Sequence, residues 1–404
     1  MKNIIFILLA LTGTQSLAEK NPIDYFPESY DASKARFLGY AEQIKNKFAR
    51  VEHESIVVGA DHLTGTHITV DTLYIPAQKN PKKLIVLTSG THGPEGYAGS
   101  ALQALFVEEL LSGMNLDETG VLMVHALNAW GFKNNRRDTE NDVNLNRNFE
   151  LDRSLFSTSN EGYDRLRALL EIERPVTQTC SYPAKDLLMQ IILRKASQQA
   201  LTEAIGKGQY ISKNGIDYGG RDFEPQTLGM IQILRQIAPH YSAIFHIDLH
   251  TGLGKKNVLH IMTKRELNPL SQAAQAKLFD PNLDKGQYEL APPDSEGFYE
   301  IHGDYANIIE KILKDPKKVV IGITAEFGTV GNGLVGKLIT INRLILENQG
   351  HHYGYKNSHI EKVVKKRYLE LFNPSNKTWR TRVMTQGRYL LDVVMKRFIE
   401  QNQN

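Results

Sequence analysis

Four short segments of the chain combine residue types that do chemistry together. In Ser89-Gly90-Thr91-His92-Gly93-Pro94-Glu95-Gly96, an imidazole and a carboxylate stand three residues apart among glycines and a proline. Those residues favour a tight turn, so His92 and Glu95 can converge from turn positions instead of from one helix face. Imidazole nitrogen with carboxylate oxygen suits Zn²⁺. A helix-opening turn with Glu95 favoured by the helix dipole is the competing reading. In Phe245-His246-Ile247-Asp248-Leu249-His250-Thr251-Gly252, His250 stands just past an apolar run, where an open α/β sheet presents residues to a ligand crevice. Asp248, two residues earlier, shares a face with His250 on an extended strand and is placed to orient that imidazole. His246 shares the face too, but lies deeper in the run and reads as a core histidine.

The third segment is polar: Asn128-Ala129-Trp130-Gly131-Phe132, then Asn134-Asn135-Arg136-Arg137, then Asn144-Leu145-Asn146-Arg147-Asn148-Phe149. Arginine offers a planar fork that matches a carboxylate, and asparagine adds a neutral donor. A solvated loop accounts for Asn134 and Asn135, but poorly for Asn146-Arg147, which apolar Leu145 and Phe149 flank. The fourth is Ile323-Thr324-Ala325-Glu326-Phe327-Gly328-Thr329. A glutamate at the end of a buried strand is costly unless paired or used. Near a metal, Glu326 would serve as general base; an ion pair with an arginine is the alternative.

Each of these segments follows an apolar run. Residues 83–88, 121–124, 244–247 and 319–324 read as strands, and 99–112 as a helix with Leu102, Leu105, Phe106 and Leu110 at helical spacing. Further helical patterns cover about 163–173 and 185–206. Strands separated by helices predict an α/β fold with a largely parallel sheet. Such a sheet gathers its strand ends along one edge. Two histidines, two glutamates and several arginines at one edge make a cationic, metal-competent hydrolytic site.

Composition narrows the classes of function. With 404 residues, 41% hydrophobic and 23% charged, the chain has the make-up of a globular protein. A formal net charge of +3 is too mild for a dedicated nucleic-acid binder. Cys180 is the one cysteine, which excludes an intrachain disulfide and a cysteine-ligated metal. Lys2, the apolar run 4–11 and Ser16-Leu17-Ala18 read as a signal peptide over residues 1–18, cleaved after Ala18. The mature chain, 19–404, is then expected to be exported, periplasmic or secreted. A run of eight residues falls short of the roughly 20 that a membrane span needs, and no later stretch approaches that length; a retained anchor is the competing reading. From Lys356 onward there are eleven Lys/Arg against four Asp/Glu. Because Leu390, Leu391, Val394 and Phe398 recur at helical spacing, this tail reads as amphipathic helix with a solvated basic face, against binding to an anionic polymer or lipid surface.

Taken in order, His92-Gly93-Pro94-Glu95, an Asn-x-x-Gly-Phe turn followed by Asn146-Arg147, His250 after a strand and strand-borne Glu326 resemble the zinc carboxypeptidases. The resemblance is closest to a bacterial subgroup of uncharacterised zinc peptidases with Arg-Arg, Asn-Arg-Asn-Phe and Asp-x-His-Thr-Gly-Leu-Gly segments. It extends through Tyr218-Gly219-Gly220 and Phe372-Asn373-Pro374, and covers most of residues 60–400. It implies one catalytic domain, a three-layer α/β/α sandwich around a mixed sheet of about eight strands. It further implies that His92, Glu95 and His250 hold one Zn²⁺, leaving a fourth position for water. Glu326 would be the general base that later returns its proton to the leaving amine. Arg137, or with less support Arg136, would polarise the scissile carbonyl and stabilise the oxyanion. Asn146 and Arg147, with Arg136 beside them, would bind the substrate.

Three departures from the family pattern carry expectations of their own. Many relatives have an aspartate at the position of Asn144, where it buttresses the first zinc histidine; asparagine cannot supply that charge, so Asp142 or a backbone carbonyl is expected to serve. The interval of 155 residues between Glu95 and His250 is long, which predicts an insertion near 153–215 that covers or reshapes the cleft. For the tyrosine that many carboxypeptidases place over the substrate, Tyr299 and Tyr305 are the candidates. The expected activity is that of an exported zinc metallopeptidase of carboxypeptidase type, acting on a peptide or acyl-amino-acid substrate. A zinc-dependent deacylase or amidase acting on N-acyl amino acids or cell-wall peptides, and a non-catalytic binding protein on the same fold, are the alternatives.

Overall fold

Runs such as Leu84-Ile85-Val86-Leu87 have no polar alternation, the pattern of strands covered on both faces. In a computed structural model that describes residues 20–180, 205–263, 267–291 and 301–401, these runs form the centre of one mixed sheet. Its strands are β1 (Glu52–Ala60), β2 (His67–Ile75), β3 (Lys83–Ser89), β4 (Thr119–His125), β5 (Ala243–Gly252), β6 (Leu259–Thr263), β7 (Glu289–Ala291) and β8 (Val319–Gly328), in the order β1-β2-β4-β3-β5-β8-β6-β7. The pairings β4/β3, β3/β5 and β5/β8 are parallel. Outside them, β1/β2, β2/β4 and β6/β8 are antiparallel, and β6/β7 is parallel again. The expected sheet of about eight mixed strands is therefore present, with its parallel character confined mainly to the centre.

Helices cover both faces. The described ones are α1 (Tyr30–Lys45), α2 (Gly96–Leu105), α3 (Ala129–Asn134), α4 (Glu161–Leu170), α5 (Pro225–Ile237), α6 (Pro269–Leu278), α7 (Ile308–Leu313), α8 (Leu334–Tyr353), α9 (Ser358–Leu369), α10 (Lys377–Tyr389) and α11 (Met395–Glu400). Successive side chains of a strand point to opposite faces. On β5, Phe245 packs against Phe398 of α11, while the next residue, His246, packs against Tyr305 just before α7. The helix expected over 99–112 starts earlier, as α2, and finishes in a π-helical turn, Phe106–Leu110. The one expected over 163–173 is α4, whose first turn is capped by the Asn160 side chain accepting from the Tyr163 amide. The pattern at 185–206 lies almost wholly outside the described residues, as do residues 1–18. Among the described residues no helix is long and apolar enough to cross a membrane.

The basic tail forms α9, α10 and α11, and Leu390, Leu391, Val394 and Phe398 are all buried in the main core. This supports the amphipathic reading of the tail. Register sets up the site: β5 and β8 pair His250 with Glu326, and β3 and β5 pair Ser89 with Leu249. The C-terminal ends of three adjacent parallel strands thus gather along one edge, β5 and β8 level at Gly252 and Gly328 and β3 stopping at Ser89, opposite Leu249.

Candidate metal and catalytic site

His92 stands three residues past the end of β3 and precedes a single 3-10 turn, Gly93–Glu95, which leads into α2. Gly93 is required there, because a Cβ would sit 2.1 Å from the Gly131 carbonyl carbon and 2.2 Å from the Arg136 oxygen. The turn brings His92 Nδ1 to 2.9 Å from Glu95 Oε1, and β5 brings His250 Nδ1 to 2.8 Å from Glu95 Oε2. All three residues are buried, with donor atoms within 4.8 Å of one another. The Thr251 amide donates to Glu95 Oε2 at 3.1 Å, fixing the carboxylate in place.

The outer ring nitrogens are occupied. His92 Nε2 lies 3.0 Å from Asn144 Oδ1, and His250 Nε2 lies 2.7 Å from Asp248 Oδ2; Thr91 donates to the other Asp248 oxygen at 2.7 Å. Acceptors on Nε2 hold the ring proton there and aim Nδ1 inward, the arrangement a metal-ligating histidine needs. Two imidazoles and a carboxylate converging in this way fit a zinc ion. Burial and the Arg137 charge lower the His92 pKa to about 4, so its ring is neutral and able to ligate. Burial works against a charged His250, but Asp248 and Glu95 outweigh it and raise its pKa well above the usual value.

Glu326 stands across from His250 on β8, 7% exposed, with its Oε1 accepting from the Leu253 amide at 2.7 Å. Burial first, then the Glu95 charge, push its pKa up to about 8. Among the described residues no arginine or lysine forms an ion pair with Glu326, so the structural alternative weighed for it finds no support. His246 is a core histidine, as its depth in the strand suggested: fully buried, 3.3 Å from the Ala306 carbonyl, with burial lowering its pKa to about 4.

The arginines part company. Both follow the left-handed cap of α3 at Asn135, and their side chains go to different places. Arg137 lines the cavity at the site and ion-pairs with Asp217. Arg136 points elsewhere, pairing with Asp142 at 3.0 Å and Glu347 at 3.4 Å, and is not among the cavity residues. Asp142 therefore does not buttress His92. Asn144 itself does, and its Nδ2 donates to Asp217 Oδ1 at 2.6 Å. The missing negative charge thus sits one hydrogen bond further out, on a residue that also holds Arg137. Asp217 was not singled out from the sequence; its one signal is its place beside Tyr218-Gly219-Gly220, in a left-handed conformation (φ 55°).

Asn146 and Arg147 lie on the turn Leu145–Arg147, and both line the cavity. The Arg147 side chain is 1% exposed; it donates to the Gly206 carbonyl through Nε at 3.0 Å and through Nη2, and to the Asn146 carbonyl through Nη1 at 2.7 Å. Asn146 Oδ1 accepts from the Tyr305 amide at 3.0 Å. Tyr305 does not cover the site: it is fully buried, its hydroxyl 3.3 Å from Thr88 and its ring against His246. Tyr299 lies outside the described residues. The cavity, about 160 Å³, is lined also by Ile205 and Gly206 from the long interval between Glu95 and His250, and by Lys337, Ile341 and Leu344 of α8.

The chain is similar to several solved structures. Bovine thrombin-activatable fibrinolysis inhibitor, in complex with tick carboxypeptidase inhibitor, is 15% identical with a TM-score of 0.44, over 86% of this chain and 97% of that one. Carboxypeptidase A from Helicoverpa armigera is 12% identical with a TM-score of 0.42, over 85% and 74%. A succinylglutamate desuccinylase from a Silicibacter species is 16% identical with a TM-score of 0.36, over 75% and 67%. No curated protein matches the chain. A family model described as "Protein of unknown function (DUF2817)" matches residues 26–386, and the chain belongs to that family.

Proposed function

We propose that this protein is a zinc-dependent hydrolase of carboxypeptidase type that cleaves an amide bond next to a free carboxylate. The observation that carries the reading is the meeting of His92, Glu95 and His250 beside a buried Glu326, in one cavity with Arg137, Asn146 and Arg147. His92, Glu95 and His250 would hold a zinc ion, which would supply the acidity that lowers a water's pKa from 15.7 to about 7. Glu326 takes a proton from the attacking water and returns it to the leaving amine. Its Oε1 is fixed by the Leu253 amide, so Oε2 is the atom that carries the proton. The positive charge of zinc at Glu95 would offset one of the two causes that raise the Glu326 pKa. Arg137, braced by Asp217, polarises the scissile carbonyl and meets the negative charge that develops on its oxygen.

Arg147 has five N–H donors. Three are spent on carbonyls of Gly206 and Asn146, which leaves two for a substrate carboxylate, with the Asn146 amide beside them. The N-terminal signal makes the mature protein an exported one, periplasmic or secreted, beginning at Glu19.

Elemental analysis and a substrate panel test this reading together. One zinc bound at His92, Glu95 and His250, chelator-sensitive hydrolysis of peptides with a free C-terminus, and loss of that hydrolysis on C-terminal amidation are expected. Hydrolysis confined to N-acyl amino acids would make the enzyme a deacylase. A protein that takes up no metal at His92 and His250, and whose activity is indifferent to chelators, overturns the proposal. Mass spectrometry of the exported protein checks the cleavage site.

A further inference from the structure

A second convergence of metal-ligating groups lies outside the site just described. His351 and His352 occupy the last turn of α8, which ends at Gly354 in a left-handed conformation (φ 78°). Neighbouring residues on a helix normally diverge, yet both rings turn toward one carboxylate: His351 Nε2 is 3.2 Å and His352 Nε2 is 3.7 Å from Asp142 Oδ1. The three donor atoms lie within 4.8 Å of one another. The His352 side chain is only 10% exposed, and its Nε2 is buried with no hydrogen-bond partner. A buried ring nitrogen aimed at a carboxylate but too far to bond to it is the arrangement a bridging ion would complete.

Charge at this place permits a cation. Arg136 donates through Nη1 to the same Asp142 Oδ1 at 3.0 Å, while its Nε faces Glu347 Oε1 at 3.4 Å, so two carboxylates share the guanidinium charge. Lys213 lies 3.9 Å from Asp142 Oδ2 and is 57% exposed, so its flexible stem can move into solvent. Two imidazoles with a single carboxylate select zinc-class ions over calcium or magnesium, which prefer all-oxygen shells.

We propose that Asp142, His351 and His352 form a second divalent-cation site of the zinc class, which fastens the C-terminal turn of α8 to the segment 136–144. That segment carries Arg137, which lines the cavity, and Asn144, which bonds His92, so an ion there would brace both from behind. The inference does not depend on the hydrolytic reading.

Chelator-stripped protein titrated with Zn²⁺ alone, and read by calorimetry and elemental analysis, tests it. Two zinc ions per chain are expected for the wild type. His351→Ala/His352→Ala should bind one, and His92→Ala/His250→Ala should also bind one. A wild type that saturates at one ion while the His92/His250 variant binds none overturns the second site and leaves the first intact. Two ions retained by the His351/His352 variant overturn it as well. Should either variant misfold, zinc-edge anomalous scattering from wild-type crystals decides: a peak at His352 Nε2 supports the site, and a peak at His92 and His250 alone refutes it.

Discussion

Replacing Glu326 by glutamine separates chemistry from architecture, because the two respond in opposite directions. Glutamine keeps the shape of the side chain and an oxygen to accept from the Leu253 amide at 2.7 Å, but it cannot take a proton from water. General acid–base catalysis contributes about 10²–10⁴ in rate, so kcat/KM should fall by that factor, roughly 3–5 kcal/mol at 1.36 kcal/mol per decade. Zinc content should not change. Stability of the chelator-stripped protein should rise. The pKa of Glu326 in the folded protein is raised to about 8, above the ordinary 4.5 of the unfolded chain. Below pH 4.5 both states hold the proton and there is no penalty; between 4.5 and 8 the unfolded state ionises first, and the folded state loses stability as pH rises. At pH 7 the difference is about 2.5 units, or up to ~3 kcal/mol, which glutamine removes. Steady-state kinetics, elemental analysis and urea unfolding at pH 7 read the three outcomes. Undiminished turnover in Glu326→Gln refutes the general-base assignment. A variant that loses activity, zinc and stability together shows that Glu326 is a structural residue.

The rest of the site makes further predictions. Asn144→Asp should weaken zinc binding, because its new carboxylate would face Asp217 where Nδ2 now donates at 2.6 Å; Asn144→Asp/Asp217→Asn should recover it, as read by competition with a chelator. The size of a loss from disturbing such outer partners is about 10–100-fold in affinity. Gly93→Ala should destabilise the fold by about 1–3 kcal/mol or more, since its Cβ would meet the Gly131 and Arg136 backbone near 2 Å; chemical denaturation measures this. His125 and His246 are buried, with pKa values lowered to about 4 by burial. Both states keep them neutral above pH 6.5; as pH falls from 6.5 to 4 the unfolded chain takes up protons first, so stability declines by up to ~3 kcal/mol for each. Replacing either by glutamine should flatten that part of the pH–stability profile, as read by urea unfolding between pH 4 and 7.

Much of the site is legible in the sequence because it follows from two simple regularities. Strands buried on both faces write themselves as unbroken apolar runs, and a parallel arrangement delivers whatever follows each run to the same edge. His92, Glu95, His250 and Glu326 each stand at such a run's end, and the β5/β8 register makes His250 and Glu326 neighbours. The outer strands write no such signal: β1 is mostly exposed and β7 is three residues long. Nor does the sequence decide between Arg136 and Arg137, since both are the same residue type and only the local backbone direction sends one to the cavity and the other to Asp142 and Glu347. Asp217 is the hardest to foresee. It meets Asn144 across 73 positions, from a left-handed turn with no apolar run before it, and nothing in its neighbourhood marks it as a partner of the candidate site. What the site needs at that point is a negative charge within reach of the imidazole that faces Glu95, and an asparagine relaying an aspartate meets that need as a direct aspartate would. A hydrogen-bonded relay also couples two functions that a direct contact would keep apart, because the same Asp217 carboxylate that tightens Asn144 on His92 holds Arg137 over the cavity.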